Sequence, residues 1–188
     1  GIQVGTPAAE ALPYAEIATD IVTGRIDAVE MQCFAPGLDN PSILEWYRFL
    51  NCGYRLPVLG GTDKMSAEVP VGAVRTYARL DPDAPPTFDS WSAAVRAGRT
   101  FATSGPIIEL TVDGHSPGDV LLLPSTGGHL EVHVRARSAQ PLISAVEVVL
   151  NGRVVAVQES ATSSDDLSVK TLVDIRDGSW IAGRSRSV

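Results

Sequence analysis

The apolar and polar positions before residue 100 form two kinds of pattern that follow each other along the chain. Apolar side chains recur at steps of three and four residues over residues 14–22 and 43–50, which predicts two amphipathic helices. Each helix is followed by a short apolar run, at residues 26–31 and 56–60, that predicts a strand. The order helix, strand, helix, strand is typical of a parallel α/β sheet or barrel with right-handed crossovers.

Two further elements complete this half of the chain. Residues 72–80 alternate between apolar and polar positions and predict another strand. Residues 81–86 contain three prolines, which interrupt regular structure. The apolar spacing over residues 88–95 then predicts a last helix that ends at Gly98.

The pattern changes after about residue 106, where short alternating strands separated by Gly, Asn or Asp replace the helical spacing. Asn151 and Gly152 lie between two apolar stretches and form the sequence signal of a two-residue β-hairpin. Such strands predict an antiparallel β-sandwich of immunoglobulin-like type. The expected organisation is therefore an α/β domain at residues 1–98 and an all-β sandwich at residues 99–188, linked near residues 100–106.

The strongest candidate for a functional site in the first half is the end of the apolar run at residues 56–60. The run ends at Gly60, and Gly61 and Thr62 then lead to Asp63. In α/β folds the reactive groups lie at the carboxyl ends of the strands, which favours a functional role for Asp63. Glu30 occupies the corresponding position at the end of the preceding strand. The alternative is that Asp63 only stabilises a turn, because Asp and Gly are common turn residues.

The charge balance excludes some classes of partner. A net charge of −7 and an isoelectric point near 4.9 argue against binding to nucleic acid or to an anionic membrane surface. No apolar run approaches the ~20 residues that span a bilayer. Cys33 and Cys52 are too few and too far apart for a disulfide framework or a CxxC metal site, so we expect free thiols, and the cellular compartment stays open.

The three histidines, at positions 115, 129 and 133, all lie in the second half. None of them has the HxH or HExxH spacing that brings two imidazoles to one ion, so we expect surface side chains rather than metal ligands. In the first half, Arg75 lies on the strand after Asp63 and is a candidate anion clamp. The alternative for Arg75 is an ordinary surface ion pair.

Five segments of the chain resemble a known family, in the same order along the sequence. They are residues 55–63, 71–77, 97–106, 113–119 and 147–152. The third reads Ala97-Gly98-Arg99-Thr100-Phe101-Ala102-Thr103-Ser104-Gly105-Pro106 and is the most specific. Together they resemble the PHP-type (polymerase and histidinol phosphatase) metallohydrolases of the CehA/McbA group.

This resemblance implies the carboxyl-terminal part of a distorted (β/α) barrel followed by a β-sandwich. It also implies a divalent metal ion, zinc, manganese or iron, held by His and carboxylate ligands in the full-length protein. The implied reaction is hydrolysis of an ester, amide or phosphoester bond in a small-molecule substrate. Asp63 matches a metal ligand of the family, and Glu30 is added as a candidate ligand on strand-end geometry alone.

The chain also departs from the family pattern. Many members have Asp-x-His at the last metal motif, whereas this chain has Asp63-Lys64-Met65, and a thioether is a poor ligand for a hard divalent ion. The chain has no histidine before residue 115, so it resembles the carboxyl-terminal portion of a longer protein. We therefore expect the isolated chain to bind metal weakly or not at all and to be inactive.

Two hypotheses about function follow. In the first, the chain is a fragment of a metal-dependent hydrolase in which Arg75 or Lys64 stabilises developing negative charge. In the second, it is a noncatalytic binding module whose β-sandwich docks a glycan, a peptide or another protein. A barrel entered partway would also leave one edge of the strand at residues 26–31 unpaired, which predicts self-association through that edge.

Overall fold

The computed structural model describes residues 15–32 and 42–187. Asn40 and Pro41, whose sequence is typical of a helix start, and Cys33 lie outside these residues. The chain divides into two compact units, Gly1–Ser104 and Gly105–Val188. The boundary falls six residues after the one predicted from the sequence, so the segment at residues 100–103 belongs to the first unit.

The described part of the first unit contains three helices and four short strands. The helices are α1 (Ala15–Val22), α2 (Ser42–Asn51) and α3 (Phe88–Arg96), and the strands are β1 (Val29–Gln32), β2 (Val58–Gly60), β3 (Arg75–Ala78) and β4 (Thr100–Thr103). Strands β1 and β2 pair in parallel, and β3 and β4 pair antiparallel. An apolar cluster is formed by α1, α2, β1 and the residues in and next to β2, with its buried members at Ile21, Val29, Met31 and Leu56.

The expectation of an α/β fold containing part of a PHP-type barrel is wrong. Within the described residues β1 and β2 are the one parallel pair, the other sheets are antiparallel, and the helices do not form the outer layer of a barrel. The difference arises at β3, which was expected to continue a parallel sheet. The chain leaves β3, passes through α3 and returns beside its starting point, where the Arg79 amide donates to the Arg99 carbonyl at 2.8 Å. Strand β4 therefore runs back along β3.

The second unit is built from strands in two three-stranded antiparallel sheets. One sheet has the order β5 (Ile107–Val112), β6 (Gly128–Arg137), β9 (Asp166–Ile175). The other has the order β10 (Ile181–Ser187), β7 (Ile143–Leu150), β8 (Arg153–Ser164). The predicted hairpin is present, since Leu150 pairs with Arg153 and both Asn151 and Gly152 have positive φ, at 50° and 86°.

The core of this unit consists of aliphatic side chains from both sheets. Alternate residues of β6 point into it, and Val132, Val134 and Ala136 are completely buried there. From β7 the side chains of Ile143, Val146 and Val148 meet them. A Cβ atom at Gly183 of β10 would lie 2.9 Å from Val134 Cγ1, so glycine allows the close approach of β10 to β6.

Candidate functional site

The first candidate carboxylate, Glu30, is the second of the four residues of β1 and does not lie at the strand end expected from the sequence. Glu30 of β1 is paired with Leu59 of β2 and is half-buried. A Cβ atom on Gly61 would be 2.7 Å from Glu30 Oε1. The Glu30 carboxylate therefore lies against the backbone that continues from β2, and it occupies the space that a larger side chain at position 61 would need.

Asp63 lies two residues after Gly61, at the start of an exposed segment. Its side chain is exposed and its φ angle is 43°, in the left-handed region that Asp tolerates better than most residues. The preceding Thr62 is buried, and its hydroxyl donates to the Val74 carbonyl at 2.9 Å and accepts from the Gly72 amide at 2.9 Å. Thr62 thus joins the two ends of the segment at residues 63–73.

Lys64 lies in the same segment and forms hydrogen bonds to two of its backbone carbonyls. Its ammonium group donates to the carbonyls of Ser66 at 2.7 Å and Val69 at 2.6 Å. Two apolar side chains of the segment, Met65 and Val71, are largely exposed. The hydrogen bonds give Lys64 a role in loop conformation, and its role in stabilising negative charge stays a prediction.

Arg75 lies at the start of β3. Its guanidinium donates to the Gly72 carbonyl and to the Tyr77 hydroxyl, both at 3.1 Å, and lies 5.5 Å from the centre of the Tyr77 ring. Tyr77 is in turn stacked on Phe101 of β4 with ring centres 5.1 Å apart. Because side chains alternate along a strand, Arg75 and Tyr77 leave the opposite face of β3 from Thr76, whose hydroxyl bonds to Gly60. The structure therefore places Arg75 in an aromatic cluster, and its role as an anion clamp stays a prediction.

Sequence reasoning missed the threonines that connect β2 to its neighbours. The Thr76 hydroxyl accepts from the Gly60 amide at 2.8 Å and donates to the Gly60 carbonyl at 2.7 Å. The Thr100 hydroxyl of β4 donates to the Val58 carbonyl at 2.7 Å. These hydroxyls bond to backbone groups at both ends of β2 that a regular ladder would otherwise satisfy. The sequence offered one signal for this role: both strands of this unit that follow Gly60 and Gly61, β3 and β4, contain a threonine.

A divalent metal requires more ligands than these residues supply. Carboxylate oxygens suit hard divalent ions, so Glu30 and Asp63 have the right chemistry. However, no group of three or more His, Cys, Asp or Glu side chains that could hold a metal ion occurs among residues 15–32 and 42–187. Catalytic metal sites generally have at least three protein ligands. The described residues therefore do not form a complete metal site.

Three further pairs of ionisable side chains lie at the surface. Asp27 accepts two hydrogen bonds from Arg96 of α3, both at 3.2 Å, and these raise the pKa of the Arg96 guanidinium. His115 lies 3.7 Å from Asp119, and His129 lies 3.8 Å from Asp174. Both histidines are exposed, which agrees with the surface positions predicted for them.

No helix in the described part of the chain combines the length and the apolar character needed to cross a bilayer.

Comparison of the chain with protein-family models, with curated proteins and with solved structures gives no match in any of the three. The function must therefore be argued from the residues and their geometry.

Proposed function

We propose that this chain is part of a metal-dependent hydrolase that cleaves an ester, amide or phosphoester bond in a small molecule, and that Glu30 and Asp63 belong to its site. Five sequence segments that resemble such hydrolases support the proposal, and they include the segment from Arg55 to Asp63. A complete site needs at least one further ligand from outside the described residues.

The observation that carries the proposal is the contact between Glu30 and Gly61. A carboxylate next to an apolar strand is usually turned toward water, because burial of a charge is costly. Here Glu30 is half-buried, and its Oε1 lies so close to Gly61 that a methyl group at position 61 would displace the Glu30 side chain. The arrangement brings the Glu30 carboxylate against Gly61, and the exposed Asp63 follows Gly61 by two residues.

The neighbouring residues would then have structural roles around this site. Thr62 fixes the backbone on which Asp63 lies, through its hydrogen bonds to Val74 and Gly72. Lys64 fixes the loop after Asp63. Substrate would approach from the side of this exposed loop, where Met65 can contact an apolar group.

The test combines metal titration with hydrolysis assays. Zn²⁺, Mn²⁺ and Fe²⁺ are titrated calorimetrically into the chain, and a chromogenic ester, an anilide and a phosphodiester are assayed with the chain and with the longest natural polypeptide that contains it. We expect weak metal binding by the chain and hydrolysis by the longer polypeptide. Asp63→Asn and Glu30→Gln should each lower that hydrolysis more than about tenfold.

Two controls make the result specific. Asp83→Asn removes an exposed carboxylate from the proline-containing loop and should leave hydrolysis unchanged. Gly61→Ala keeps both carboxylates but displaces Glu30, and it should reduce hydrolysis as Glu30→Gln does. A longer polypeptide that hydrolyses none of the substrates, or that is unaffected by Asp63→Asn and Glu30→Gln, would show that the proposal is wrong.

The second candidate is a noncatalytic binding module, and the surface of β8 favours it. Val154, Val155 and Val157 of this strand are each 44–47% exposed. Adjacent exposed valines on a strand are suited to contact an extended peptide or the apolar face of a sugar. Chemical shift changes confined to β8 on addition of peptide or oligosaccharide libraries would support this function, and their absence would exclude it for those ligands.

A further inference from the structure

Strand β9 forms an unusually regular edge of its sheet. It pairs with β6 through ten consecutive positions, from Gly128 with Ile175 to Arg137 with Asp166, without a register shift. In the described part of the chain no strand pairs with its other edge. The edge strands of the second sheet differ, because the pairings of β8 and β10 with β7 both contain register shifts. Such irregularities hinder edge-to-edge pairing, and β9 lacks them.

The outer face of β9 carries an apolar side chain between two opposite charges. Val173 and Ile175 point into the core, so Lys170, Leu172 and Asp174 point outward. Leu172 is 72% exposed, which is unusual for a large apolar residue in the middle of a ten-residue strand. Lys170 and Asp174 are both on this exposed face. Lys170 lies 3.8 Å from Glu131, and Asp174 lies 3.8 Å from His129 and accepts a hydrogen bond from Arg176 of its own chain at 2.9 Å, so a partner's Lys170 would share this carboxylate with Arg176.

The order of these side chains is self-complementary in one antiparallel register. If two copies of β9 pair about a two-fold axis at Leu172, the leucines of both copies meet. Lys170 of each copy then lies opposite Asp174 of the other, so the pairing contains two equivalent ion pairs. On the inner face the same register places Thr171 opposite Val173. Residues that are directly opposite in an antiparallel pair interact most strongly, which makes this match favourable.

Other registers are less favourable. A two-fold axis at Lys170 would place the two lysines opposite each other and Asp166 opposite Asp174, so that like charges meet. An axis at Thr171 would place Lys170 opposite Leu172. Exposed ion pairs are individually weak, but here they select one register on a strand whose backbone groups are otherwise open to pairing.

We propose that the open edge of β9 binds β9 of a second copy of this chain, centred on Leu172. The dimer joins two three-stranded sheets into one continuous sheet across the two-fold axis. Main-chain hydrogen bonds hold it together, the paired leucines bury exposed apolar surface, and the Lys170–Asp174 pairs set the register. This inference is independent of the hydrolase proposal, because it uses no residue of the first unit.

The experiment is sedimentation equilibrium of the chain up to about 1 mM, a range that detects even weak dimers. The unchanged chain should dimerise. Lys170→Glu places like charges opposite each other at two positions and should weaken the dimer at least about tenfold. The double exchange of Lys170→Glu with Asp174→Lys restores opposite charges and should recover most of the affinity. Thermal melting shows that each variant is folded.

A matched control makes the same change of charge on the other sheet. Arg153→Glu alters an exposed residue of the β8 edge and should leave dimerisation unchanged. A chain that is monomeric at about 1 mM, or a dimer that survives Lys170→Glu or is not restored by the double exchange, would overturn the proposal. A dimer lost in Arg153→Glu but kept in Lys170→Glu would assign the interface to β8 instead.

Discussion

The two units of the chain keep their strands together in different ways. In the first unit β1, β2, β3 and β4 have only three or four residues each, and threonine hydroxyls bond to backbone groups of β2. In the second unit β6 and β9 pair over ten positions around a core of completely buried aliphatic side chains. The first unit therefore supplements its apolar cluster with individual polar contacts to β2, whereas the second unit depends mainly on burial of apolar surface.

The largest effect is expected from a cavity in the second unit. Ile143→Ala removes a completely buried side chain and should lower the free energy of unfolding of this unit by about 2–5 kcal/mol. Hydrogen exchange of β6 and β7 amides at increasing urea concentration measures it. The control Leu122→Ala, at a residue that is 93% exposed, should change the free energy by less than about 0.5 kcal/mol. Equal loss of protection at residues 29–32 would mean that the units unfold together.

The next largest effect should come from a single hydroxyl in the first unit. Thr76→Val keeps the shape of the side chain but removes both hydrogen bonds to the buried Gly60, so we expect a loss of about 1–3 kcal/mol. Hydrogen exchange of β1 and β2 amides gives the value. Thr171→Val is the control, because that hydroxyl contacts a carbonyl at 3.5 Å, and it should be nearly neutral. Similar losses in both variants would contradict the contrast between the units.

A smaller effect on stability is expected at Gly61. In Gly61→Ala the new methyl group meets Glu30 Oε1, the end of a flexible side chain, so Glu30 can move aside at a cost below about 1 kcal/mol. NMR shifts of the Glu30 side chain should change while the amides of β2 remain protected. Unfolding of β1 and β2 in this variant would mean that the Glu30 carboxylate is held more firmly than its contacts indicate.

The smallest effect concerns a surface pair of the second unit. Arg135 donates hydrogen bonds to Asp166, which lowers the pKa of the Asp166 carboxyl below its ordinary value. A carboxyl whose pKa is lowered by folding contributes stability above its unfolded pKa, and this contribution is lost as the pH falls through the folded pKa. In Arg135→Gln the Asp166 pKa should rise toward its ordinary value in an NMR titration. An unchanged pKa would show that Arg135 does not cause the shift.

The parts of the fold that could be predicted are those set by local sequence. The hairpin at Asn151 and Gly152 needs two residues with positive φ, and this dipeptide supplies them. The alternation of β6 between buried and exposed residues could likewise be read directly, since neighbouring side chains leave opposite faces of a strand. Neither prediction requires knowledge of distant parts of the chain.

The choice between a parallel barrel and antiparallel pairs could not be made in this way. The alternation over residues 72–80 predicts a strand but not its partner, and the direction of β4 depends on the path of the chain through α3. The candidate site shows the same limit. The sequence predicted that Glu30 lies on a strand, but not that it is the second of the four residues of β1. The role of Thr76 could not be predicted, because threonine is also a common strand residue without a bonded hydroxyl.

The contact between Arg79 and Arg99 has a consequence for protein engineering. Because the chain leaves β3 and enters β4 at adjacent backbone positions, residues 80–98 form a connection whose length does not affect the spacing of β3 and β4. Its exposed proline-containing loop at residues 81–86 is therefore a suitable acceptor for an inserted domain or a reporter peptide. Such an insertion would extend the molecule at this point while leaving the stacked Tyr77 and Phe101 in register.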